Sequence, residues 1–153
     1  MNKGKVEASS RINAPAKRVY AIIADYRVGH PAILPKKYFR KLEIEAGGTG
    51  AGTRIKVEMK VMGTTRTFRQ VVSEPEPGRI LVESDPDGST VTKFTVDRIG
   101  DGSTCNVKFE TMFSVRNGLA GAIEKFFISS MLRKIYIKEL AILADYAVNN
   151  EDR

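Results

Sequence analysis

The chain has 153 residues, of which 42% are hydrophobic and 28% charged, proportions typical of a globular protein with one domain spanning residues 1–153. Its single cysteine excludes an internal disulfide and a cysteine-based metal site, which favours a reducing, cytoplasmic location. The net charge of +7 comes from basic residues scattered through every segment. We therefore expect no nucleic-acid partner, and no membrane insertion because no apolar run approaches the roughly 18 residues required.

The first elements are a strand and a short helix. Apolar and polar residues alternate from Val6 to Ile12, which predicts a half-buried strand. Asn13 and Pro15 suit the start of a helix that continues through AKRVYAIIADY. Residues 27–35, RVGHPAILP, contain one glycine and two prolines, so we expect a loop with at most one helical turn there.

Six further strands are predicted between residues 41 and 113. They alternate apolar and polar residues, and turns rich in Gly, Pro and Asp separate them. The clearest alternates Ile55, Val57, Met59 and Val61 with charged residues, which indicates one apolar and one solvated face. Such a sheet needs a cover on its apolar face, and only the C-terminal segment is large enough to provide one.

That segment, from Leu119 to about Val148, is predicted to be one long helix with two apolar stripes on roughly opposite sides. The purer stripe, which we expect to face the sheet, contains Leu119, Ile123, Phe126, Ile137, Ala141 and Ala144, with Ser130 as its polar member. The second stripe contains Ile128, Leu132, Ile135, Ile142 and Tyr146. It either covers the flank of the sheet or forms a self-association surface, which makes a homodimer through this helix possible.

Several segments together resemble the START-like, helix-grip superfamily that includes the birch-pollen-allergen-like proteins. They are SRINAP with AKRVYAIIADY, EIEAGGTGAGTRIKV, VVSEPEPGRILVES and the terminal KELAILADYAV. Within the superfamily, the chain is similar to the polyketide cyclase/dehydrase and lipid-transport group. The resemblance implies an α+β helix-grip fold. In this fold, a curved antiparallel sheet of about seven strands wraps around the long C-terminal helix, with short helices after strand 1.

The resemblance implies a function less narrowly than a fold, because one fold serves many functions. The first expectation is non-enzymatic binding of a small hydrophobic molecule, a lipid or a polyketide-like compound, between the sheet and the helix. The second is a cyclase/dehydratase-type enzyme that uses the same cavity. The third is a protein-interaction module akin to the chaperone activators of the superfamily. No metal and no cofactor are expected.

The predicted ligand-binding residues face the interior of this sheet and helix. The apolar ones are Val57, Met59, Phe68, Phe94, Phe109, Phe113, Ile123 and Phe126, and the polar ones are Gln70, Thr92, Thr111 and Ser130. An apolar lining with sparse hydrogen-bonding groups suits a hydrophobic ligand, although a filled core gives the same pattern. The resemblance also places the segment with Tyr26, His30 and Leu34 near the cavity mouth.

Catalytic groups are harder to find in the sequence. His30 is the only histidine, and with Tyr26 it is the weak candidate for moving protons. The alternative is that His30 hydrogen-bonds the loop backbone or is exposed. Cys105 is expected to be a buried apolar residue rather than a nucleophile. We find no paired carboxylates, since Glu43, Glu45 and Glu110 fall on predicted solvent-facing positions.

The glycine-rich stretch GGTGAGT, residues 47–53, raises the question of a phosphate-binding loop. A dinucleotide fingerprint needs a third glycine at position 53, which is Thr53, and a helix afterwards. A strand follows instead, so no helix N-terminus is available for a phosphate. We predict that this stretch connects two strands.

Overall fold

A computed structural model describes residues 2–150. Seven strands, two short helices and one long helix follow one another along the chain. They are β1 (Asn2–Ile12), α1 (Ala16–Ala24), α2 (Gly29–Ile33), β2 (Phe39–Ala46), β3 (Arg54–Val61), β4 (Thr64–Glu76), β5 (Ile80–Ser84), β6 (Thr90–Ile99), β7 (Thr104–Val115) and α3 (Gly118–Asn149). This order confirms the predicted α+β helix-grip architecture, including the single helical turn expected between residues 27 and 35.

The strands form one antiparallel sheet in the order β1-β7-β6-β5-β4-β3-β2. Strand β1 pairs with β7 along its whole length, from Asn2 opposite Val115 to Ile12 opposite Cys105. Strand β1 is thus an edge strand that pairs with β7, and all other neighbouring strands in the sheet are consecutive along the chain. Helix α3 packs mainly on β1, with further contacts to β7 and α2.

The glycine-rich stretch connects β2 to β3, as predicted, and it packs on the end of α1. Gly47, Gly48, Gly50 and Gly52 all have positive φ angles. The backbone nitrogen of Tyr26 donates to the Gly48 carbonyl at 2.9 Å, and that of Gly50 donates to the Ala24 carbonyl at 2.9 Å. A side chain at Gly50 would collide with Glu74, since its Cβ would lie 2.1 Å from Oε1. The loop therefore holds the chain at Tyr26, just before the functional segment.

The orientation predicted for helix α3 is wrong. The stripe expected to face the sheet is largely exposed, with Leu119 at 78%, Ile123 at 50% and Phe126 at 67% exposure. The buried residues of the helix lie on the opposite side: Gly121, Ile135, Tyr136, Glu139, Leu140, Leu143 and Ala147. The true inner face carries Tyr136 and Glu139, so the purest apolar stripe is not the buried one.

The second predicted stripe belongs to this inner side. Ile135 is fully buried, and Leu132, Ile142 and Tyr146 pack against the core. These residues cover the sheet, which was the simpler of the two predictions for them. Self-association through α3 stays a prediction, and this stripe does not provide a free surface for it.

Candidate functional site

An open-mouthed cavity of about 140 Å³ lies between the sheet, the α2 segment and the C-terminal half of α3. Its wall is mostly apolar, with a smaller set of polar groups. The apolar residues are Leu34, Phe39, Leu42, Ile55, Val57, Met59, Phe68, Phe94, Leu132 and Ile135, and the polar ones are His30, Gln70, Glu83, Asp85, Thr90, Thr92, Thr111, Tyr136 and Glu139. Among the described residues, neither Lys nor Arg lines it.

Tyr26, His30 and Glu83 form a buried polar cluster at this cavity. The Tyr26 hydroxyl donates a 2.5 Å hydrogen bond to Glu83 Oε1, and His30 Nε2 lies 3.3 Å from the same oxygen. The rings of Tyr26 and His30 stack with centroids 4.3 Å apart. Burial, and then the negative charge of Glu83, raises the pKa of Tyr26 well above its ordinary value, so its hydroxyl stays a donor.

The tautomer of His30 follows from its second contact. Nδ1 lies 2.7 Å from the carbonyl oxygen of Ile23, and because a carbonyl only accepts, Nδ1 carries a proton. The contact between Nε2 and Glu83 Oε1 is therefore a hydrogen bond only when one of these two atoms carries a proton. His30 thus makes the backbone contact that was one of its predicted roles and also orients a carboxylate at the cavity.

A second polar group at the cavity is a chain of three hydroxyls. Thr92 Oγ1 and Thr111 Oγ1 are 2.8 Å apart, and Thr111 Oγ1 is 2.5 Å from the Tyr136 hydroxyl. These residues come from β6, β7 and α3, so the chain joins the helix to the middle of the sheet. Burial raises the pKa of Tyr136 to about 12. The three hydroxyls satisfy one another and leave limited capacity for a ligand.

Glu139 is a third polar group at the cavity. It lies on the inner face of α3, is only 2% exposed and lines the cavity. Within residues 2–150, no hydrogen bond or ion pair reaches its carboxyl group. Burial, and then the charge of Glu83, raises the pKa of Glu139 well above its usual value. This shift favours the protonated carboxyl group, whose O–H is a hydrogen-bond donor.

Asp85 adds another carboxyl oxygen to the cavity. Its Oδ2 accepts a 3.0 Å hydrogen bond from the Ser89 hydroxyl, whereas Oδ1 is buried with no partner among the described residues. The prediction that paired carboxylates are missing is therefore wrong. Glu83 and Glu139 meet at one cavity although 56 residues separate them in sequence (139 − 83), because β5 and α3 both border it.

The structure places the predicted ligand-binding residues in three locations. Those that line the cavity are His30, Leu34, Val57, Met59, Phe68, Gln70, Thr92, Phe94 and Thr111. Tyr26, Phe109 and Phe113 are buried but outside the wall: Tyr26 stacks behind His30, and Phe109 packs edge-on between Phe94 and Tyr136. The Phe113 ring covers Gly4, where a Cβ would lie 2.4 Å from it.

Ile123, Phe126 and Ser130 were predicted to line the cavity, and this prediction is wrong. All three are exposed on the outer side of α3, because the helix is rotated relative to the expectation. The residues that sequence reasoning missed are Phe39, Leu42, Ile55, Glu83, Asp85, Thr90, Leu132, Ile135, Tyr136 and Glu139. Alternation in β3 could have indicated Ile55. A glutamate inside a helix carries no comparable signal, since most such residues are solvated.

Seven antiparallel strands around a long C-terminal helix, with a cavity between them, define a helix-grip protein of the START-like superfamily. The chain belongs to the family described as polyketide cyclase / dehydrase and lipid transport, whose family model matches residues 3–148. No curated protein sequence matches the chain. Within the described residues, no helix is long and apolar enough to cross a membrane.

Solved structures show the same fold. The KanY protein, studied by NMR, is 27% identical with a TM-score of 0.82, and the match covers 97% of this chain and 100% of that one. Norcoclaurine synthase from Thalictrum flavum, in complex with dopamine and hydroxybenzaldehyde, is 17% identical with a TM-score of 0.71, covering 99% and 89%. A START superfamily protein from Mycobacterium smegmatis is 16% identical with a TM-score of 0.64, covering 96% and 95%.

Proposed function

We propose that the protein binds a small, mostly apolar molecule in the cavity between the sheet and α3. The observation that carries this proposal is the wall itself, in which ten apolar side chains surround a compact set of acidic and hydroxyl groups. An apolar body with one polar end would match this arrangement. The family description, which includes polyketide and lipid chemistry, supports a ligand of this kind.

The volume limits the size of that ligand. The cavity of about 140 Å³ is close to the engineered cavity of roughly 150 Å³ that binds benzene in another protein. A single ring with short substituents therefore fits the cavity as it stands. A long acyl chain would have to extend through the open mouth into solvent or displace the wall.

The test combines native mass spectrometry of the purified protein with thermal-shift screening of single-ring compounds. A Val57→Trp variant is the matched control, since the larger side chain would occupy the cavity from β3. We expect bound compounds to raise the melting temperature of the natural chain and to leave that of the folded variant unchanged. The proposal is wrong when no apolar compound binds, or when binding is the same in both proteins.

A specific observation also favours a second candidate, an enzyme of the cyclase/dehydratase type. The hydrogen-bonded cluster of Tyr26, His30 and Glu83 borders the cavity, and a second carboxyl group, Glu139, shares it. Two carboxyl groups in different surroundings, one hydrogen-bonded by Tyr26 and one without a hydrogen bond from the described residues, suit general acid–base catalysis. In this candidate His30 and Tyr26 position Glu83. Turnover at the full rate in a folded Glu83→Gln variant would eliminate it.

A further inference from the structure

Glu139 is a buried carboxyl group on the cavity side of α3. It is 2% exposed, lines the cavity and has no hydrogen-bond partner within residues 2–150. Buried polar groups in proteins are normally hydrogen-bonded. A bound molecule with an acceptor at the right place in the cavity would provide this hydrogen bond.

The protonation of Glu139 determines which group of a ligand could form a hydrogen bond with it. Burial, and then the charge of Glu83, raises the pKa of Glu139 and favours its protonated form, which presents an O–H donor to the cavity. A ligand that satisfies this donor must offer an acceptor. The surrounding wall of Ile55, Leu132 and Ile135 requires the rest of that ligand to be apolar. A carbonyl oxygen on a ring-sized compound meets both conditions.

Glu83 provides the complementary group. Its Oε1 faces the Tyr26 hydroxyl and His30 Nε2, and no hydrogen bond in the described part of the chain involves Oε2. A carboxylate with one oxygen anchored and the other free at a cavity can accept a proton. The charge of Glu83 contributes to the raised pKa of Glu139, and both carboxyl groups line the same cavity.

We propose that the cavity binds a carbonyl compound whose oxygen accepts a hydrogen bond from Glu139 and whose adjacent carbon loses a proton to Glu83. This inference depends on the proposed function, since it requires a ligand in the cavity. The C–H bond breaks and its proton moves to Glu83, while the electron pair forms a carbon–carbon double bond. The carbonyl π electrons move to oxygen, which takes the Glu139 proton. The product is an enol, with Glu83 protonated and Glu139 ionised, and no cofactor is needed.

The experiment uses acetophenone and α-methylstyrene, which have the same shape and differ in the carbonyl oxygen. We expect the natural chain to bind acetophenone about tenfold more tightly, the effect of one added hydrogen bond. In deuterated water, we also expect the protein to accelerate exchange of the acetophenone methyl protons for deuterium, measured by NMR. The product of exchange requires only the reversible enol formation described above.

The variants separate hydrogen bonding from proton transfer. Glu139→Gln keeps a donor, so it should retain the preference for acetophenone and lose the exchange. Glu139→Leu should lose both, and Glu83→Gln should lose the exchange. Leu119→Ala, on the exposed side of α3, is the matched control that should keep both.

Equal affinity for the two probes overturns the role of Glu139, and acetophenone binding without accelerated exchange overturns the role of Glu83 as base. Both results leave the cavity as a binding site. If neither probe binds, the carbonyl proposal and the binding function for single-ring compounds are both wrong. Circular dichroism of each variant establishes that it is folded.

A different observation concerns the outer side of α3, remote from the cavity wall. Leu119, Ile123, Phe126 and Phe127 are 78%, 50%, 67% and 54% exposed, and the two phenylalanine rings contact each other edge to face. Large exposed apolar side chains grouped on one helix indicate an interaction surface. We name these four residues the outer apolar face.

Charge identifies the partner of this face. Residues 125–138 contain Lys125, Arg133, Lys134 and Lys138 and no acidic residue, and all four cations are exposed. The nearest acid before them, Glu124, is paired with Arg116 at 3.2 Å. A second copy of the chain would bring this positive charge against itself, whereas an anionic lipid surface would attract it.

We infer that the outer apolar face docks on an anionic lipid bilayer, with its phenylalanines in the interface and its cations at the headgroups. The test is co-sedimentation with phosphatidylcholine vesicles, with and without phosphatidylglycerol. We expect binding that requires phosphatidylglycerol and weakens with salt. Phe126→Ser/Phe127→Ser should abolish it, and Arg133→Glu/Lys134→Glu should weaken it at least tenfold. Lys17→Glu/Lys36→Glu, which changes charge equally outside α3, should have a smaller effect.

Failure to bind anionic vesicles would overturn this inference. Light scattering gives the competing result: a dimer that Phe126→Ser/Phe127→Ser dissociates would assign the face to a second copy of the chain. Equal binding to both vesicle types would likewise contradict the role given to the cations. None of these results depends on whether the cavity holds a ligand.

Discussion

The two halves of helix α3 have similar apolar content and opposite surroundings. In the half that follows residue 134, Ile135, Leu140 and Leu143 are at most 3% exposed and pack on the sheet. In the half before it, Leu119 and Phe126 are 78% and 67% exposed. The half before residue 134 therefore supplies a surface, and the half after it supplies part of the core and one wall of the cavity.

This difference shows that apolar content alone does not locate the buried face of a helix. The buried half includes Tyr136 and Glu139, because it borders a cavity whose wall contains polar groups. The exposed half carries Leu119, Ile123 and Phe126 on its outer side, together with Ser130. Polar residues mark the functional interior in this protein, and apolar residues mark part of its exterior.

The largest expected effect on the free energy of unfolding is the difference between a leucine-to-alanine substitution in the buried half of α3 and one in its exposed half. Leu143→Ala removes a fully buried side chain and should lower the free energy of unfolding by about 2–5 kcal/mol. Leu119→Ala removes an exposed one and should change it by no more than about 0.5 kcal/mol. Urea denaturation monitored by circular dichroism measures both. Comparable losses in the two variants would contradict the assigned helix orientation.

A pH-dependent effect is expected at Glu139, whose raised pKa means that the folded chain holds its proton more tightly than the unfolded chain. The stability of the natural chain is therefore complete below the unfolded pKa of about 4.5 and declines as the pH rises through the folded value. The glutamine of Glu139→Gln has no group that titrates in this pH range. The variant should gain relative stability above pH 4.5, by about 1.4 kcal/mol for each unit of pKa elevation.

Denaturation curves of both proteins at a series of pH values would show this divergence. The charge of Glu83 contributes to the raised pKa of Glu139, so Glu83→Gln provides the control. Removing the negative charge of Glu83 should reduce the divergence between Glu139 and Glu139→Gln chains. Parallel stability profiles of the two chains from acid to neutral pH would show that Glu139 ionises normally.

A smaller effect is expected from the hydroxyl chain that joins α3 to the sheet. Tyr136→Phe removes the group within 2.5 Å of Thr111 and should destabilise the fold by about 1 kcal/mol. Thr111 keeps its contact with Thr92, which limits the loss. Thermal unfolding measures the change. A loss as large as that of Leu143→Ala would indicate that the chain of hydroxyls organises the whole interface.

Sequence periodicity predicted the fold because strands with one buried face leave a period of two. Ile55 and Val57 in β3, and Cys105, Val107 and Phe109 in β7, are buried in the alternation expected. Cys105 is also the buried apolar thiol that was predicted, and burial raises its pKa to about 11. Turn residues predicted where most strands end, and the absence of proline after residue 118 agrees with one continuous C-terminal helix.

Periodicity predicted the site less well, because the two key carboxyl groups have no local signature. Glu83 lies in a five-residue strand, and Glu139 lies in a helix whose other charged residues are mostly solvated. Their meeting depends on how α3 is rotated over the sheet, which the sequence pattern assigned to the wrong face. His30 was found because it is the only histidine, yet its partner Glu83 became visible only in three dimensions.

The most direct test of the central claim is a methyl NMR titration of the natural chain with acetophenone. We expect shifts concentrated at Ile55, Leu132 and Ile135, which line the cavity, and little change at the exposed Leu119 and Ile123. The same titration with Val57→Trp should show no such shifts. Shifts confined to the outer residues of α3, or none at saturating acetophenone, would contradict the claim that this cavity is the binding site.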